Sequence, residues 1–123
     1  MLTDVEGSTA LWDADAPNTA LAMERHDELV DRIVAEHRGK LLKHKGEGDS
    51  TLSVFQRATD AVDASHAVVS AITDEQWPGN LRIAVRAAVH TGEAFEREGG
   101  VFGPPLNRAA RGRALAHGGR VLL

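Results

Sequence analysis

At 123 residues, with 42% hydrophobic and 26% charged side chains, the chain is sized for one domain around a single core and is too short for two. It has no cysteine, which excludes disulfides and thiolate metal sites, and its net charge of -4 argues against bulk attraction to nucleic acid or an anionic membrane. No apolar run approaches a membrane span and the N-terminus lacks the basic region and apolar run of a secretion signal, so a cytoplasmic location is expected.

The opening MLTDVEGSTALW reads as the tail of a strand, a Gly7-Ser8-Thr9 turn, and a return to apolar character at Leu11 and Trp12. From Asn18 to His37, Ala22, His26, Leu29, Val30, Ile33, Val34 and His37 recur at the three-and-four spacing of an amphipathic helix. Gly39 follows as a stop that tolerates the left-handed cap conformation. Leu41 to Phe55 predicts a hairpin, two short strand-like runs around the Gly46-Glu47-Gly48-Asp49 turn. A second helical stripe follows at Ala58, Ala61, Val62, Ser65, Val68, Val69 and Ile72, ended by the breakers Trp77 to Asn80.

Arg82 to His90 alternates strictly, Ile83, Val85, Ala87 and Val89 on one face and Arg82, Ala84, Arg86, Ala88 and His90 on the other, which predicts a half-buried strand. A glycine-rich connection through Gly99 and Gly100 leads to a helix from Pro105 to about Ala116, and GGRVLL closes as a strand. The order is an α+β, ferredoxin-like βαββαβ core with an added C-terminal helix and strand, an antiparallel sheet carrying helices on one face.

Chemistry concentrates at the ends of these elements. Asp4 ends the first strand and Asp49 sits in the hairpin turn; in a split βαβ sheet the first and third strands are neighbours, so two carboxylates can converge to hold hard cations. Taken singly, Asp49 reads better as a turn residue capping its own backbone. Gly7, Ser8 and Thr9 can aim backbone N–H groups at a phosphate chain, or Ser8 or Thr9 can simply cap a helix. Asn107 and Arg111, spaced i, i+4, share a helix face and read either as a solvated pair or as an amide that orients a sugar beside a guanidinium that neutralises phosphoryl charge. The six histidines form no HExxH-type pair, and neither a Walker-type loop nor a Ser-His-Asp pattern is present.

Taken together, TDVEGST (Thr3 to Thr9), KGEGDSTLSVF (Lys45 to Phe55), HTGE (His90 to Glu93) and FGPPLNRAARGRALAHGGRVLL (Phe102 to Leu123) resemble, in order, the motifs of the class III nucleotidyl cyclase catalytic domain, especially the short bacterial, actinobacterial type. The resemblance implies an adenylate cyclase closing ATP to cyclic AMP and pyrophosphate. It implies two Mg2+ or Mn2+ ions bound by Asp4, Asp49 and the carbonyl of Val5, adenine contacted by Lys45, ribose positioned by Asn107, and phosphorus charge stabilised by Arg111. It also implies paired sites in a head-to-tail homodimer, one subunit giving the aspartates and the other Lys45, Asn107 and Arg111. The alternative is a cyclase-like module that dimerises and holds nucleotide without turnover. A metal-dependent phosphodiesterase or polymerase-like enzyme explains neither Lys45 nor the Asn107/Arg111 pair.

Overall fold

The computed structural model describes residues 1–42, 50–91, 95–97, 100–102 and 120–122. Strand β1 (Leu2–Val5) leads through a short helix α1 (Ser8–Ala14) into the long helix α2 (Ala16–Glu36). Strands β2 (Lys40–Leu41) and β3 (Thr51–Val54), helix α3 (Ala58–Asp74), a 3-10 turn (Pro78–Asn80) and β4 (Val85–Ala88) follow. Strands β5 (Phe95–Arg97), β6 (Gly100–Phe102) and β7 (Arg120–Leu122) complete the described elements.

The main sheet runs β2-β3-β1-β4-β7. Its first four strands are antiparallel neighbours, with Thr3 opposite Thr51 on one side of β1 and Asp4 opposite Arg86 on the other. This is the order of two interlocked split βαβ units: β3 lies between β1 and β2, and β1 lies between β3 and β4. The expected α+β fold is therefore present. The added strand β7 joins beside β4 in parallel, so the extended sheet is mixed.

Side-chain alternation divides the sheet into two faces. Met1, Val5, Ile83 and Val85 pack with Ala22, Val30, Ile33 and Val34 of α2 and Ala64, Val68 and Ile72 of α3 in one core. Leu2, Leu42 and Leu52 form a second, smaller cluster. Within the helix-facing layer, the hydroxyls of Thr3 and Thr51 bond each other across the strand pair, which satisfies two buried polar groups.

Both long helices follow from their stripes, with instructive shifts. Helix α2 begins two residues before Asn18, because the Asp15 side chain accepts from the Asn18 backbone N–H at 3.2 Å and Pro17 suits the first turn. Its buried face also takes Thr19 and Met23. Thr19 is admitted because its hydroxyl donates to the Leu11 carbonyl at 2.9 Å, tying α2 to α1. On α3 the buried face turns toward Asp60 and Ala64, leaving Ala58 exposed. A charged residue is tolerated there because Arg38, just beyond α2, forks onto the Asp60 carboxylate.

The end of α2 corrects one expectation. The left-handed residue is Arg38, at φ 63°, rather than Gly39. Gly39 is needed for space, since a Cβ there would run into the ring of Phe55. Two further elements carry no periodic signal in the sequence: α1, which buries no side chain, and the β5–β6 ladder, where Phe95 pairs with Phe102 inside the expected glycine-rich connection. The terminal strand was expected and is found as β7. The helix expected from Pro105 to Ala116 lies outside the described residues.

Candidate functional site

The C-terminal end of β1 is the centre of the candidate site. β1 is short, flanked on both sides by paired strands, and its last residues are fixed by the ladder with β4, which continues as the Glu6 N–H donates to the Ala84 carbonyl at 2.8 Å. The chain then turns through Gly7, whose φ of 64° and ψ of 32° place it in the left-handed region that glycine occupies without a Cβ penalty. Helix α1 starts immediately after, with Gly7 as its N-cap and no side-chain cap hydrogen bond. Ser8 and Thr9 are thus the first helical residues rather than the cap. Gly7 and Thr9 are exposed and Ser8 is half-buried, so this turn faces solvent next to Asp4.

Asp4 and Leu2 point away from the helical layer, onto the face that carries Leu52 and Arg86. Arg86 is the direct cross-strand partner of Asp4. The guanidinium donates from Nε to Oδ1 at 2.9 Å and from Nη2 to Oδ2 at 2.7 Å, a bidentate fork between side chains that are 27% and 20% exposed. The bonds to Asp4 raise the Arg86 pKa above its ordinary value, against the opposing effect of burial. Glu6, exposed at the mouth of the turn, adds further negative potential at Arg86. Alternation along the sequence places Arg86 on the correct face of its strand but carries no signal for its partner.

β3 enters the site from the other side of β1. Leu2 faces Leu52 and Thr3 faces Thr51, so the start of β3 lies beside the end of β1, as the split βαβ topology requires. Because β1 is central, this meeting point is an end of the sheet's middle rather than a lateral edge. Of the residues expected to form the site, Asp4, Val5, Gly7, Ser8 and Thr9 are therefore clustered at one strand end. Lys45, Asp49, Asn107 and Arg111 lie outside the described residues.

Carboxylate oxygens and a strand-end carbonyl are hard donors of the kind that Mg2+ and Mn2+ accept, and Asp4 and Val5 supply that chemistry at adjacent positions. Among the described residues no group of three or more His, Cys, Asp or Glu converges. Two of the described histidines belong to the helix packing: His26 is fully buried, with Nδ1 2.9 Å from Asp27 Oδ1, and His37 Nδ1 lies 2.7 Å from the Ile33 carbonyl. No helix among the described residues is long and apolar enough to cross a membrane.

Comparison with known proteins agrees with this architecture. The adenylate/guanylate cyclase/hydrolase of Silicibacter pomeroyi superposes with a TM-score of 0.81 at 26% identity, over 98% of this chain and 71% of that one. An adenylate cyclase of Trypanosoma brucei, in its monomeric state, superposes with a TM-score of 0.84 at 23% identity, over 98% and 68%. In fold the chain matches adenylate and guanylate cyclase domains, and its curated relatives include proteins named adenylate cyclases, in line with the resemblance of its four motifs. Among curated relatives, an uncharacterised protein of Mycobacterium tuberculosis is 37% identical over 123 residues, all of this chain and 41% of its own length. The putative adenylate cyclase 3 of Rhizobium meliloti is 30% identical over 126 residues, all of this chain and 21% of its own. The chain thus spans about two fifths or less of these relatives. No protein-family model matches it.

Proposed function

We propose that this domain is the catalytic unit of an adenylate cyclase, converting ATP to 3′,5′-cyclic AMP and pyrophosphate at sites completed by a second copy of the chain. The observation that carries the reading is the convergence of β1 and β3: Asp4 ends the central strand, and Thr51 sits across from its neighbour Thr3. Asp49 precedes Thr51 by two residues in the sequence, and its role beside Asp4 rests on the resemblance.

Asp4, Asp49 and the Val5 carbonyl would hold Mg2+ or Mn2+. Bound there, the ions supply charge neutralisation at the phosphates and a lowered pKa for the attacking hydroxyl. The ATP 3′-oxygen forms a bond to the α-phosphorus, the bond from that phosphorus to the bridging oxygen of pyrophosphate breaks, and the hydroxyl proton passes to solvent. Lys45 would contact adenine, Asn107 would fix the ribose, Arg111 would take charge at phosphorus, and the Gly7-Ser8-Thr9 turn would line the phosphate side. These are mostly positioning and charge-stabilising roles, the main sources of rate in phosphoryl transfer. The preference for ATP follows the resemblance and the name of the Rhizobium relative.

The test is cyclic AMP and cyclic GMP formation by purified protein with Mn2+ and ATP or GTP, beside an Asp49→Ala control. Cyclic AMP from the wild type and at least a hundredfold less from a folded control is the expected result. Cyclic GMP as the main product would overturn the ATP assignment. No cyclic nucleotide from a folded protein that still binds ATP would favour the binding-module alternative.

A further inference from the structure

Arg86 belongs to none of the motifs that carry the cyclase resemblance in the sequence, yet among the described residues it forms a bidentate contact with Asp4. We infer that Arg86 is a positioning residue for the cation site, a resident counter-ion that holds the Asp4 carboxylate compensated when no cation is bound and competes with an incoming cation for the same two oxygens. The inference rests on the proposed role of Asp4 as a cation ligand.

Three observations support it. The pair is in direct register on adjacent strands, so neither group can drift from the other without disturbing the centre of the sheet. The contact is bidentate, one nitrogen to each carboxylate oxygen, which fixes the plane of the carboxylate as well as its charge. Both side chains are mostly withdrawn from water, where an anion without a partner is costly. Arginine cannot discharge by losing a proton, so a divalent ion at Asp4 must either share oxygens beside a fixed positive charge or displace the guanidinium. Glu6 is close enough to act electrostatically on Arg86 and offers it a second acid on the exposed side.

The experiment measures Mn2+ affinity by electron paramagnetic resonance of the free ion, together with thermal unfolding with and without Mn2+, for wild type, Arg86→Met and Arg86→Lys. The expected result for Arg86→Met is a lower Tm without metal, Mn2+ binding tighter by about tenfold, and a larger rise in Tm on saturation; removal of one unit charge beside a divalent ion gives about that factor even with water-like screening. Arg86→Lys, which keeps the charge but not the fork, falls between the two. A merely structural arginine would lower Tm and leave Mn2+ affinity unchanged or weaker, and that result overturns the inference. If Arg86→Met does not fold, Arg86→Lys decides alone: affinity equal to or weaker than wild type overturns it. Wild-type protein that binds no Mn2+ overturns the cation-site reading with it, whereas wild-type binding indifferent to residue 86 overturns only the role of Arg86.

Discussion

Two glycines illustrate how different physical demands select the same residue. Gly7 stands in open space, with nothing within 4 Å of where a methyl would sit, but at φ 64°. Gly39 has an ordinary φ and no space, because the Phe55 ring fills the position of its Cβ. A methyl at Gly7 should therefore cost about 1 kcal/mol from left-handed strain alone. Gly39→Ala should cost about 1–3 kcal/mol, the usual range for overpacking, because Phe55 packs against the main core and has to move. Urea midpoints read both. The distinguishing outcome is the pair Gly39→Ala/Phe55→Leu, in which the second change recovers part of the loss, whereas Phe55→Leu adds its full cost to Gly7→Ala.

At the scale of elements, the end of α2 is tied to the first turn of α3 by Arg38 and Asp60. Hydrogen bonding from the guanidinium is the main cause that holds the Asp60 carboxyl below its ordinary value of 3.8, with burial opposing it. A carboxylate with a depressed folded pKa contributes stability that is fully present above the unfolded value and disappears as pH falls through the folded one. Asp60→Asn should thus lower the urea midpoint at pH 7, and the gap to wild type should narrow as pH falls below the ordinary carboxyl value of 3.8. An equal gap at pH 7 and in acid would show that the pair's charge contributes nothing. The same pair shows what sequence patterns reveal and what they hide. The stripes of α2 and α3 and the alternation around β4 are local, repeated over many residues, and readable from one strand of text. The Arg38–Asp60 and Arg86–Asp4 contacts depend on how distant elements meet, so Asp60 could not be seen as buried and Arg86 could not be matched to its acid. Helix α1 buries no side chain and β5 and β6 are three residues each, too little periodicity to register. Asp4 was recognisable because Val5-Glu6-Gly7-Ser8-Thr9 follows it, and its position at the end of a strand is what the structure shows.

For the molecule as a whole, the interlocking of two βαβ units through β1 predicts one cooperative unfolding transition. Trp77 is a suitable reporter, 8% exposed with its Nε1 donating to the Ile72 carbonyl at 3.0 Å, while Trp12 is 38% exposed on α1. In a Trp12→Phe background the fluorescence of Trp77 should report the same urea midpoint as far-UV circular dichroism, the signature of two-state behaviour. Separate midpoints would mean that the α3 end of the core melts apart from the sheet.

The central place of β1 also governs the order in which the protein can be made. Its partners are far downstream: Asp4 meets Arg86 across 82 residues of sequence and Thr3 meets Thr51 across 48. On the ribosome the first strand therefore emerges with both of its hydrogen-bonding edges open, and it stays so until β3 and then β4 have cleared the exit tunnel. At about 5–20 residues per second, that exposure lasts several seconds. An unpaired strand held open for that long, with the core residues Leu2 and Val5 uncovered, is a binding site for chaperones, and the domain's yield in a cell should depend on them more than its final stability would suggest.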